Sequence, residues 1–245
     1  MDIRKVGRLA LMTGMLLLLA SPAFADMIAH YSMNEGLGTT LHDSSGFGHD
    51  GVIQGASWTE GPFGSALDFD GAGGHVEIPH SDALDIHGDA MSITAWFSLT
   101  EYNDDGAFVF KNSQYFLRTD NQGRLGFMLY KPQWTEVKMS WDDRILDTDW
   151  HHAAAVYDGS EMSLYLDGAI VAGTAAAGNS QQRTSEVWIG SQTGGLNQFD
   201  GLLDDVRIYD HALSGEAIAA MVPEPGTAAL LGLGCVALLP HRRRG

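Results

Sequence analysis

The stretch Leu202-Leu203-Asp204-Asp205-Val206-Arg207-Ile208 sets carboxylates inside an apolar run. In a strand, successive side chains point to opposite faces. Asp204 then shares a face with Leu202, Val206 and Ile208, while Asp205 lies opposite with Leu203 and Arg207. A carboxylate on a buried apolar row is costly unless it is paired or coordinated. Two chemistries would satisfy it: backbone amides or a single Lys or Arg, and a hard divalent cation that takes carboxylate and carbonyl oxygens. A second stretch, LYKPQWTEVKMSWDD, carries Tyr130, Trp134 and Trp141 interleaved with Lys131 and Lys138. Exposed aromatic faces stack on sugar rings, and the lysines would suit an acidic polysaccharide. Pro132 interrupts the stretch, so part of it is loop or strand edge. The alternative places Trp134 and Trp141 in an ordinary core.

Other constellations carry less. His151 and His152 are adjacent, so a strand points them to opposite faces, and they cannot chelate one ion. One is expected in a core, the other toward the surface or between layers. Ser and His are present, but no Gly-x-Ser-x-Gly elbow for nucleophilic catalysis accompanies them.

These residues need elements to position them. Short alternating runs separated by Asp-Gly, Asn-Gln-Gly and Gly-Gly turns predict strands at 28–33, 66–69, 75–78, 91–99, 107–111, 114–118, 124–130, 150–157, 162–166, 186–189 and 202–209. Many short strands at this spacing indicate an all-β sandwich or barrel. The strand Trp150–Tyr157 has no strongly polar face and is expected in mid-sheet, covered on both sides. Residues 162–171 read as a hairpin. In the body only Leu213–Met221 looks helical, with Ser214 as its N-cap.

The termini differ in kind from the body. Arg4, Lys5 and Arg8 precede an apolar stretch, Leu9–Ala20, and Ala23-Phe24-Ala25 follows. This is the three-part pattern of a signal peptide cut between Ala25 and Asp26. Between Asp26 and Met221, 8 basic residues face 29 acidic ones, a balance of −21. Nucleic acid and anionic lipid are therefore poor partners. The lone cysteine, Cys235, lies in the C-terminal run, so the body has no intramolecular disulfide.

Five stretches in order carry a resemblance: HYSMNEGLGTTLHDSSGFGHDGV (30–52), FGSALDFDGAGGHVEIP (63–79), MSITAWF (91–97), WHHAAAVYDGSEMSLYLDGAIV (150–171) and FDGLLDDVRIYDHALSGEAI (199–218). Together they resemble the laminin-G-like jelly-roll domains of the concanavalin A-like lectin/glucanase superfamily. The resemblance implies a two-sheet antiparallel jelly-roll sandwich over residues 26–221, flanked by an N-terminal signal helix (1–25) and a C-terminal hydrophobic helix within 222–245. Relatives of this kind include lectins, adhesion modules and β-glucanases. Their retaining glucanases carry two glutamates and an aspartate at alternating positions of one strand. That motif is missing here: neither Glu101 with Asp104 and Asp105, nor Glu161 with Asp167, has the spacing. The resemblance also implies a structural calcium. Asp204 matches a typical ligand position, and the loop 43–51 is expected to add the Asp43 carboxylate and the carbonyl of Gly48 or His49. The expected function is a noncatalytic surface or matrix module binding glycan or another extracellular partner. A hydrolase with an unrecognised carboxylate pair and a purely structural surface protein are the alternatives.

The C-terminus PEPGTAALLGLGCVALLPHRRRG resembles the PEP-CTERM sorting signal of Gram-negative bacteria. The match comprises Pro223-Glu224-Pro225, an apolar run interrupted by glycine, and Arg242, Arg243 and Arg244. It implies an exosortase-type processing enzyme and transient insertion in the inner membrane. The arginines would stay cytoplasmic. The destination would be the cell surface or extracellular matrix.

Overall fold

The computed structural model describes residues 27–88, 90–100, 106–131, 133–140, 142–178 and 183–223. The signal residues with Ala25 and Asp26, Trp141, Glu101, Asp104 and Asp105 fall outside them. So do Glu224, Pro225, Arg242, Arg243 and Arg244.

The strands, in chain order, begin with β1 (Met27–Tyr31), β2 (Thr40–Leu41), β3 (Gly51–Gln54), β4 (Ser57–Gly61), β5 (Gly64–Asp70) and β6 (His75–Ile78). They continue with β7 (Met91–Leu99), β8 (Ala107–Lys111), β9 (Tyr115–Thr119), β10 (Leu125–Tyr130) and β11 (Trp134–Lys138). The last are β12 (His151–Tyr157), β13 (Glu161–Leu166), β14 (Ala169–Ala175), β15 (Val187–Ile189) and β16 (Asp200–Tyr209). One short helix, α1 (Gly215–Ala219), follows, with the Ser214 hydroxyl accepting from the Ala217 amide as the expected N-cap.

Two antiparallel sheets pack face to face, the expected jelly-roll sandwich. The first runs β14-β13-β12-β7-β16-β5-β4, with β1 also paired to β16. The second runs β11-β10-β9-β8-β15-β6-β3-β2. Alternation supplies the core. Ile93, Ala95, Phe97, Ala153, Ala155, Leu203 and Ile208 point inward from the first sheet. Val76, Ile78, Val109, Leu117, Phe127, Val187 and Ile189 meet them from the second. Each fully buried large aliphatic or aromatic side chain contributes about 1.5–3 kcal/mol.

Strand β12 lies between β7 and β13, as its two apolar faces require. Ala153, Ala155 and Tyr157 join the main core, while Ala154 and Val156 pack under Ile218 of α1 on the outer face. The β13–β14 hairpin closes through Asp167 and Gly168, both at positive φ.

Strand β16 departs from simple alternation. Leu203, not Leu202, shares the core with Val206 and Ile208. A β-bulge between Asp204 and Arg207, with Asp205 at φ 47°, adds a residue and reverses the facing. The bulge sits where β16 changes neighbours. Before it, Asp200–Leu203 pair with β5; after it, Val206–Tyr209 pair with β1. Asp204 therefore lies opposite Trp96 on the outer face of the first sheet, and the apolar row expected around it does not form.

Candidate functional site

The outer face of the second sheet carries a groove of about 300 Å³ lined by Phe110, Asn112, Phe116, Arg118, Met128, Trp134, Gln192 and Asn197. Alternation explains its floor. Tyr115 and Leu117 enter the core, so Phe116 and Arg118 must face outward. Phe110 packs edge-on against Phe116, with ring centroids 5.3 Å apart. Met128 lies against this pair. Trp134 is 38% exposed at the edge strand β11, and Tyr130 meets it edge to face at 5.5 Å. Strand β10 ends at Tyr130 and the edge strand β11 starts at Trp134; Pro132 itself lies outside the described residues.

Arg118, which lines one side of the groove, belongs to a network of ion pairs beside it. Arg118 reaches across β10 to Glu136, Nη2 to Oε1 at 2.7 Å. It crosses over Gly126, which faces both β9 Arg118 and β11 Lys138. A Cβ on Gly126 would come within 3.2 Å of Glu136 Oε1. The missing side chain leaves room for the pair. Lys138 lies 3.4 Å from both Glu136 and Asp120, and Arg124 lies 2.7 Å from Asp120. Burial pushes the Asp120 carboxyl up, but hydrogen bonds from Arg124 and the Gln122 amide outweigh it and hold the acid below its ordinary range.

The other side is a loop between β15 and β16. The Gln192 amide donates to the Leu196 carbonyl at 2.8 Å, and the Gly195 amide to the Gln192 carbonyl at 3.0 Å. The Asn197 carbonyl accepts from Ala107 at 3.0 Å, and Phe199 donates to the Gly190 carbonyl at 2.9 Å. Gly190, at φ 84°, lies so close to Phe69 that a Cβ would fall 2.2 Å from the ring. These contacts fix the backbone from which Gln192 and Asn197 reach the groove.

Chemically the groove offers aromatic faces, a thioether, three side-chain amides and a guanidinium held by a carboxylate. None of its lining residues among those described is an Asp or Glu. Of the expected aromatics, Trp134 lines this groove and Tyr130 supports it from the adjacent strand. Sequence reasoning missed Phe110, Asn112, Phe116, Arg118, Met128, Gln192 and Asn197. The outward Phe116 and Arg118 were the available signal, since an alternating strand with large side chains on both faces needs a use for the outer one.

The residues expected around calcium are arranged differently. Asp43 Oδ1 accepts from the amides of His30 and Ser45, at 3.0 and 2.9 Å. Its Oδ2 accepts from the Ser45 hydroxyl and the His49 amide, at 2.7 and 2.9 Å. Burial raises the Asp43 carboxyl, yet these bonds hold it below its ordinary value. Ser44 donates to the His30 carbonyl at 2.7 Å, so the loop fastens along the edge of β1 away from β16. The His49 carbonyl accepts from the Tyr31 hydroxyl at 2.8 Å. Gly48 turns the loop at φ 78°.

Asp204 lies on β16, beyond β1 from Asp43, and its Oδ1 accepts from the Asp205 amide at 2.7 Å. Asp205 is bound by His30 at 2.7 Å and by Arg207 at 2.8 Å. No group of three or more His, Cys, Asp or Glu that could hold a metal occurs among the described residues. The donors around Asp43 are N–H and O–H groups, which suit a carboxylate and not a cation. One ion shared by Asp43 and Asp204 does not fit this arrangement.

The two histidines separate as their alternation requires. His152 is buried beside Trp96, ring centroids 5.4 Å apart, and burial lowers its pKa to about 4. His151 bridges Asp167 and Asp147, each at 2.8 Å. The Asp167 hydrogen bond leads in raising its pKa to about 9, against desolvation.

Residues 70–219 match the family Laminin_G_3, described as the concanavalin A-like lectin/glucanases superfamily. No curated protein matches the sequence. Among solved structures, domain 4 of a GH43 extracellular arabinanase from Geobacillus stearothermophilus, in complex with arabinotriose, aligns with a TM-score of 0.66 at 18% identity. That alignment covers 81% of this chain and 98% of that one. The binding domain of Paraclostridial Mosquitocidal Protein 1 aligns at 0.67 and 14% identity, over 80% of this chain and 51% of that one. The binding domain of botulinum neurotoxin DC, solved in complex with SialylT, aligns at 0.60 and 14% identity, over 80% and 51%. The chain thus spans about half of each of these toxin binding domains.

Proposed function

The chain belongs to the concanavalin A-like lectin/glucanase superfamily, and we propose that it is a noncatalytic module that holds a glycan in the groove over β8–β11. The observation that carries this reading is the groove's composition: aromatic rings at floor and lip and amides at the rim, with no carboxylate among the described lining residues. Stacking on Trp134 supplies the apolar contact, and the amides supply orientation. The solved relatives support a binding role, since an arabinanase domain is recorded with arabinotriose and toxin binding domains share the fold.

The module is exported and sorted to the cell surface or matrix by an exosortase-type enzyme. The N-terminal basic and apolar segments and the PEPGTAALLGLGCVALLPHRRRG tail support this part. Among the described residues no helix is long and apolar enough to cross a membrane.

A glycan array with the purified body is expected to give binding that Trp134→Ala weakens at least about tenfold, the scale of one hot-spot aromatic. Release of reducing ends from the bound polysaccharide would point instead to a hydrolase.

A further inference from the structure

Gln192 and Asn197 stand out among the groove residues. Their backbones are fixed by the β15–β16 loop, yet their side-chain amides make no hydrogen bond among the described residues. Asn197 sits at φ 50°, a left-handed conformation that Asn tolerates better than most residues. The loop therefore holds two free amides at the groove on a braced backbone. Each amide offers one acceptor oxygen and two N–H donors. That combination matches a sugar hydroxyl, which both gives and takes a hydrogen bond.

Charge is treated differently. Arg118, the cationic lining residue, has its guanidinium on Glu136 at 2.7 Å and over the Phe116 ring at 5.6 Å. Lys138, beside it, contacts Glu136 and Asp120. A carboxylate on a ligand would have to displace Glu136 from Arg118 or lie against it. The whole chain, at net −17, also repels polyanions at long range. The volume of about 300 Å³ lies at the small end for ligand pockets and suits one or two rings.

From these observations we infer that Gln192 and Asn197 are the specificity-determining residues for a neutral glycan, of which one or two rings lie between them and Trp134. This rests on the glycan-binding reading above and narrows it to neutral over uronate sugars. A site built to hydrogen-bond hydroxyls discriminates sharply, because a wrong ligand leaves its polar groups unpaired.

The test uses isothermal titration of the body with two panels: neutral arabino-, xylo-, manno- and cello-oligosaccharides, and uronate oligogalacturonate and oligoalginate. A neutral ligand is expected to bind with affinity that changes little between about 50 and 500 mM NaCl, where screening would erase an ionic contribution. Asn197→Asp keeps side-chain shape and tolerance of the left-handed backbone but removes both N–H donors. It should weaken neutral binding about tenfold with an unchanged Tm. Gln192→Glu should do the same. Asn197→Gly, which keeps the backbone conformation, checks that loss follows the amide and not the loop.

Preference for the uronate panel, or affinity falling steeply with salt, would overturn the neutral assignment and leave glycan binding standing. Neutral binding insensitive to all three variants would remove the two amides from the site. Failure of both panels to bind would overturn this inference and the proposed function together.

Discussion

Asp204 is fully buried, and its Oδ2 has no hydrogen-bond partner. Desolvation raises its pKa to about 7, against weaker opposition from the Asp205 and Phe63 amides; the Asp205 charge adds to the rise. The neighbouring ionisable groups do not cancel this. Arg207 and His30 are turned onto Asp205, and His152 is held neutral by burial. A carboxyl whose folded pKa exceeds its unfolded value favours folding when protonated. Its contribution is complete below about pH 4 and is lost as pH rises through 7. A rise of this size corresponds to about 4 kcal/mol at most. Asp204→Asn keeps the acceptor for the Asp205 amide and cannot ionise. Urea denaturation should find the variant close to wild type at pH 4 and more stable by a few kcal/mol at pH 8. A gap between variant and wild type that does not change with pH would show that Asp204 is not the titrating group.

At the scale of elements, one carboxylate gathers much of the hydrogen bonding that holds the loop 43–51 against β1. Asp43 accepts four hydrogen bonds, from His30, Ser45 twice and His49. Asp43→Ala should therefore cost about 1–3 kcal/mol, since several amides lose their acceptor together. With these donors in place, a chelator should leave the wild-type Tm unchanged in thermal melts. A fall in Tm on adding EDTA would instead return Asp43 to the role of a calcium ligand. The elements themselves were largely legible in the sequence. Alternation located β1, β7, β12 and β13, and the mid-sheet position of β12 followed from its two apolar faces. The bulge in β16 was not legible, because its cause is tertiary: β16 pairs with β5 over one half and with β1 over the other. Period-2 counting runs through such a change without registering it. The groove was legible only at Trp134 and Tyr130. Its floor comes from β8 and β9 and its rim from a distant loop, brought together by a strand order that periodicity does not encode.

Across the whole molecule, the body and the tail obey different physics. The body is a sandwich whose core is supplied by both sheets, and its excess of acid keeps it apart from polyanions. The tail has no polar face from Ala228 to Leu239, and three arginines, Arg242 to Arg244, follow it. Its apolar run is shorter than the ~20 residues that span a bilayer comfortably. Inserted, it would require local thinning of the membrane, a modest cost that a transient anchor can carry. The arginines resist transfer, so export would stop with the body outside and Arg242, Arg243 and Arg244 inside. Cleavage near Pro223-Glu224-Pro225 would then release the body and leave Cys235 behind. Intact-mass spectrometry of the protein recovered from the cell surface or medium should find a chain that begins near Asp26 and lacks Cys235 and the three arginines. A recovered chain that still carries them would mean that the tail is a retained anchor, with the groove displayed on the membrane and not released from it.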